Sequence, residues 1–204
     1  MKARILVWLV ALFCCHNVLF AQKEFVNASA RLSGHPRILL QKGEEKALKK
    51  VIMKDAVWKD IHQSLVDEAG EIVKLPLNER IKTGRRLLSV SRENLRRIFI
   101  LSYAYRMTGK NEFLKRAESE MLKAASFSDW NPSHFLDVGE MTMALAIGYD
   151  WLYPQLSVQT KKEIENAIVE KGLKPSFDER YLWCFGYMGE RTGVVTVRHK
   201  PGYR

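Results

Sequence analysis

Cysteine is scarce in this 204-residue chain: Cys14, Cys15 and Cys184 are too few for a disulfide scaffold. An apolar run opens the sequence and does not recur, which excludes a polytopic membrane protein. Glycine-rich phosphate loops, CxxC and HExxH metal patterns and a GxSxG elbow are all missing. The residues therefore give no ground for expecting a metal, a nucleotide or any other cofactor. What remains is 47% hydrophobic and 27% charged, a globular profile long enough for one domain or slightly more.

The opening run reads as an address. Lys2 and Arg4 precede the apolar stretch Ile5–Phe13, and Val18-Leu19-Phe20-Ala21 ends on a small residue before Gln22. A signal peptide over 1–21, cleaved near Ala21, is expected, with export to the periplasm or the medium and no stable membrane insertion afterwards. An uncleaved anchor is the competing reading. Phe13, bulky where a lipoprotein signal needs Gly or Ala, argues against Cys14 or Cys15 as a lipid acceptor. Cleavage would leave Cys184 alone, so no internal disulfide is expected.

From Gln22 to Asp178 the text reads as helix after helix. An extended lead-in, His35-Pro36-Arg37-Ile38-Leu39-Leu40, comes first, because proline biases its predecessor away from helix. Trp58, Ile61, Leu65, Ala69 and Ile72 then fall at helical spacing, and Pro76 closes that element. Leu95, Ile98, Phe99, Ser102 and Tyr105 repeat the pattern up to a stop at Gly109, with Asn111 as the expected cap of the next helix. So short a turn makes the two helices an antiparallel hairpin. After a loop over about 127–133, a helix from Phe135 to Tyr153 is expected. Its Gly139, Ala144, Ala146 and Gly148 are small enough for close approach by another helix. Ser157 is placed to cap a last helix that closes near Gly172. The fold class is all-α, built of antiparallel helical hairpins.

Beyond Asp178 the pattern fails, and 179–204 reads as an irregular tail rich in glycine and arginine. That tail contributes +3 and the leader +2 to a formal net charge of +10, so the body over 22–178 keeps only +5. A surplus this mild is not the footprint of a nucleic-acid binder, and no nucleic-acid partner is expected.

Chemistry concentrates at one loop–helix junction, Asp129-Trp130-Asn131-Pro132-Ser133-His134-Phe135-Leu136-Asp137-Val138-Gly139-Glu140. His134 and Asp137, and Asp137 and Glu140, are neighbours at three residues on a helix. Such a ladder is able to orient an imidazole, hold a sugar hydroxyl or raise one carboxylate's pKa. Trp130 offers a face for a sugar, and Asn131 a donor for a carboxylate. Against this stand plainer roles: Ser133 as a cap, Asp137 as a complement to the helix dipole, Trp130 as core filling. Asp137 is assigned the dipole role; Trp130, Asn131, His134 and Glu140 are kept as substrate-binding candidates. Asp150-Trp151 at the helix end reads as structural, because the dipole disfavours an anion there and Asp150 needs a partner.

At these residues the chain resembles the N-terminal helical domain of the heparinase II/III-like polysaccharide lyases. The likeness rests on His35-Pro36-Arg37-Ile38-Leu39-Leu40, on Tyr103-Ala104-Tyr105-Arg106-Met107-Thr108-Gly109, and above all on the run from Asp129 through Glu140 to Gly148-Tyr149-Asp150-Trp151-Leu152-Tyr153. It implies an incomplete α/α toroid, normally continued by more helices and a β-sandwich. It also implies a secreted or periplasmic enzyme that cleaves uronic-acid glycans, heparin-like or alginate-like, by β-elimination. In the family the Asn, His and Tyr that catalyse lie mostly downstream, the first within an Asn-Trp motif. No Asn-Trp occurs here, and the last asparagine is Asn166. No catalytic residue is therefore assigned, and the chain is expected to be inactive alone. Glu190-Arg191-Thr192-Gly193 is encodable by codons that, read one base back, give Thr-Asn-Trp, so the tail is expected to come from a shifted frame. A naturally short form is the competing explanation. Two other functions stay open: a helical-hairpin module that binds glycan or protein without catalysis, and an α/α toroid glycosidase using Glu140 and a second carboxylate.

Overall fold

Helix boundaries follow local chemistry over most of the chain. The computed structural model describes residues 34–178, 180 and 181. Among these residues six α-helices run in order: α1 (Glu45–Lys54), α2 (Ala56–Lys74), α3 (Leu88–Thr108), α4 (Asn111–Ala125), α5 (Phe135–Leu152) and α6 (Val158–Ala167). A π-helical turn, Ile168–Leu173, and a 3₁₀ turn, Lys174–Phe177, continue α6. The described residues contain no strand, only the isolated bridge Thr83–Arg86. The chain is all-α, as expected. The expected signal segment over 1–21 lies outside the described residues, as do Cys184, Glu190–Gly193 and all of the tail except Arg180 and Tyr181.

Asp55 starts α2 by accepting from the N–H groups of Val57 at 2.8 Å and Trp58 at 3.2 Å. Gly109, at φ 73°, stops α3 and donates its N–H to Tyr105 O at 2.7 Å. Ser157 caps α6 through the Thr160 N–H at 3.0 Å. Two expected caps do not form. Asn111 is the first residue of α4, and the Thr108 hydroxyl instead accepts the Lys110 N–H at 3.2 Å. Ser133 donates its hydroxyl to Asn131 Oδ1 at 3.1 Å, so His134 holds the cap position of α5 without a side-chain bond.

The core forms where α3 packs on α5 and α4. Ile98, Leu101, Met121, Met141, Leu145 and Ile164 are buried there. Gly148 makes that packing close: a Cβ on it would stand 2.5 Å from Met121 Sδ and 2.6 Å from Ile98 Cγ2. Gly139, by contrast, faces open space, so the expected stripe of small residues is a packing surface only in its C-terminal part. Beneath α2, the buried Glu120 accepts from Arg97 at 3.1 Å and Arg116 at 2.7 Å. The same two arginines donate to the carbonyls of Pro76 and Val73, tying the end of α2 to the α3–α4 hairpin.

The lead-in is not extended throughout. Leu39 sits at φ 57°, and the Lys42 N–H reaches back to Pro36 O at 3.0 Å. Its anchor is the anion at the end of α5. Asp150 accepts from His35 Nδ1 at 2.5 Å and from the N–H groups of Arg37 at 2.9 Å and Ile38 at 3.0 Å. Trp151 Nε1 donates to Ile38 O at 2.9 Å. Asp150 thus finds the partners that its unfavourable place on the dipole demands.

The last helix does not close as an α-helix near Gly172. It widens into the π turn, and Gly172 there lies against α5, with Thr142 Oγ1 only 2.6 Å from where a Cβ would sit. Lys171 of that turn donates to Ala125 O and Phe127 O, closing the C-terminal end of α4.

Candidate functional site

Asp137 is the hub of the loop–helix junction. Fully buried in the first turn of α5, it accepts from Leu87 N–H at 2.7 Å, Asn131 Nδ2 at 2.6 Å and His134 Nδ1 at 3.0 Å. The assigned dipole role is thus joined by a second one: the same carboxylate holds the start of α3, where Leu87 is the cap residue. A carboxylate only accepts, so His134 carries its proton on Nδ1 and presents the Nε2 lone pair. That Nε2 has no partner among the described residues, and the side chain is 22% exposed. The arrangement is an imidazole held in one orientation and one tautomer by a buried acid, able to accept a hydroxyl proton or, once protonated, to donate.

The other candidates divide. Asn131 is buried at φ 58° and spends Nδ2 on Arg85 O at 2.8 Å as well as on Asp137. It positions the loop and has no donor left for a ligand carboxylate. Trp130 is completely buried, with Nε1 donating to Ala124 O at 3.0 Å and the ring edge beneath Gly172. No ring face is open to a sugar, so here the core-filling role is the one observed. Glu140 accepts from the Ser91 hydroxyl at 2.7 Å and Arg92 Nε at 3.2 Å, joining α5 to α3. The structure therefore unites Asn131, His134 and Asp137, leaves Trp130 in the core, and holds Glu140 in its own pair.

The sequence reading missed the segment that covers this junction, the connection between α2 and α3. Arg80 donates to Asp129 O at 3.0 Å and Asp129 Oδ1 at 2.6 Å. Burial opposes ionisation of Asp129, but Arg80, the Asn131 N–H and the charge of Lys82 outweigh it and hold the carboxyl below its usual range. Thr83 and Arg86 then pair across Gly84, which sits at φ 60°, and Arg85 Nη2 reaches Ser133 O at 3.5 Å. The glycine turn was legible locally; its contact with a loop about fifty residues away was not.

No group of three or more His, Cys, Asp or Glu residues among the described residues is arranged to hold a metal ion. None of the described helices is long and apolar enough to cross a membrane. No family model and no curated protein matches the chain.

Proposed function

We propose that this chain is the N-terminal helical part of a secreted or periplasmic polysaccharide lyase that cleaves uronic-acid glycans by β-elimination, inactive by itself. The helices are read as part of an incomplete α/α toroid. The observation that carries the reading is the oriented His134 imidazole, open at Nε2 and set beside a cationic turn: polar and basic groups suited to an acidic sugar. The resemblance over 35–40, 103–109 and 129–153 supports it.

β-Elimination needs the uronate carboxylate neutralised, the C5 proton removed and the leaving oxygen protonated. A polar, basic surface serves binding and the first of these requirements. No residue of the chain is assigned to the other two, in keeping with a part that binds and orients substrate. Asp137 is sealed under three donors and Glu140 is held by Ser91 and Arg92. Neither is a free carboxylate for a hydrolase, and this favours a non-catalytic binding module as the second reading.

Incubation with uronate polymers separates both readings from a hydrolase. The expected outcome is retention of polymer with neither ultraviolet-absorbing unsaturated uronate nor new reducing ends. Reducing ends without absorbance would establish a hydrolase and overturn the proposal.

A further inference from the structure

The turn at Lys82–Arg86 carries more positive charge than its surroundings answer. Lys82, Arg85 and Arg86 are exposed, and no carboxylate pairs with any of them among the described residues. Most other arginines of the fold are spoken for: Arg97 and Arg116 by Glu120, Arg106 by Glu45, Arg96 by Glu68 and Glu93, Arg80 by Asp129. Lys82 lends only a longer-range charge to Asp129.

These cations stand on a fixed base. Thr83 N–H meets Arg86 O at 2.9 Å and Arg86 N–H meets Thr83 O at 3.2 Å, with Gly84 making the tight turn between them. Asn131 Nδ2 holds Arg85 O at 2.8 Å, and Asp137 holds the Leu87 N–H at 2.7 Å. Asn131 and Asp137 are the residues that also set His134, so turn and imidazole share one scaffold. A planar guanidinium matches an oxyanion through two parallel N–H bonds.

The geometry points to Arg85 and Arg86, with Lys82, as an oxyanion subsite that binds the carboxylate or sulfate of an acidic sugar whose hydroxyl lies against His134. This inference rests on the glycan reading above and adds the ligand group and the residues that select it.

Titration calorimetry on the full chain tests it with three probes: an unsulfated uronate oligosaccharide, its carboxyl-reduced form and a sulfated uronate oligosaccharide. Wild type should bind at least one acidic probe at least tenfold more tightly than the reduced one, since hydrogen bonds to a charged group are stronger than neutral ones. Preference between the two acidic probes tells whether carboxylate or sulfate is the group held. Arg85→Ala/Arg86→Ala should lose this discrimination and bind the acidic probes about tenfold more weakly, at an unchanged melting temperature because both side chains are exposed. His134→Ala should weaken acidic and reduced probes alike. A double variant with wild-type affinity and discrimination would remove the subsite while leaving the glycan reading intact. Failure of wild type to bind any probe would end both. Equal binding of a DNA duplex would show a general polyanion surface and overturn the subsite.

Discussion

Asp137 shows what one side chain decides. Its carboxylate has three donors and no solvent, so its loss leaves Asn131 Nδ2, the Leu87 N–H and the His134 ring without an acceptor. Asp137→Ala should lower unfolding free energy by about 3 kcal/mol in urea titration. Asp129 makes a smaller, pH-dependent contribution. Its pKa is depressed, so its stabilisation is in place above the ordinary Asp value of about 4 and is lost as pH falls through the folded value. With 47% of the side chain exposed, solvent screening keeps this below about 1 kcal/mol. Thermal melts of Asp129→Asn should therefore lose less stability than wild type on acidification below about pH 4. Residue types marked this junction in the sequence; exposure did not. Trp130 has the composition of a sugar platform, and only the Ala124 carbonyl and the approach of Gly172 show it to be core.

Helix ends and contacts between helices separate at the next scale. Stops set by the backbone were legible, Gly109 at positive φ and Pro76 after α2, and so was the Ser157 cap that starts α6. Two caps were not: Asn111 lies inside α4, and Ser133 bonds Asn131 instead of α5. Two glycines of α5 look alike in sequence and behave oppositely in the fold. Gly148→Ala forces a Cβ into Met121 and Ile98 and should destabilise by about 1–3 kcal/mol. Gly139→Ala meets nothing within 4 Å and should stabilise by about 0.5–1 kcal/mol through helix propensity. Chemical denaturation of the two variants checks both signs. Asp150 is the converse case: the dipole argument demanded a partner, and the lead-in supplies one.

Across the described residues, large apolar side chains are left exposed in several places. Trp58 and Ile61, from a stripe that reads as wholly core-facing in sequence, are 46% and 47% exposed, beside Val57 at 66%. Leu136 and Met143 are exposed on α5, and so are Val169, Leu173 and Phe177 beyond α6. Periodicity identifies an apolar stripe but not whether a neighbour arrives to cover it. Such surfaces predict self-association. Replacing Leu136→Gln and Met143→Lys together should reduce light scattering at a given concentration without lowering the melting temperature.

The all-α class was legible because helical spacing and stops recur along the chain. The site was legible only in part, since Arg85 and Ser133 meet across a stretch of sequence that no spacing rule links. The central claim is that His134 presents its imidazole to an acidic glycan. Titration of the full chain with a uronate oligosaccharide, with absorbance recorded in the same cell, tests it most directly. The account predicts saturable binding, about tenfold weaker in His134→Ala, and no ultraviolet rise from the chain alone. Absence of saturable binding, or His134→Ala binding as wild type does, would contradict it.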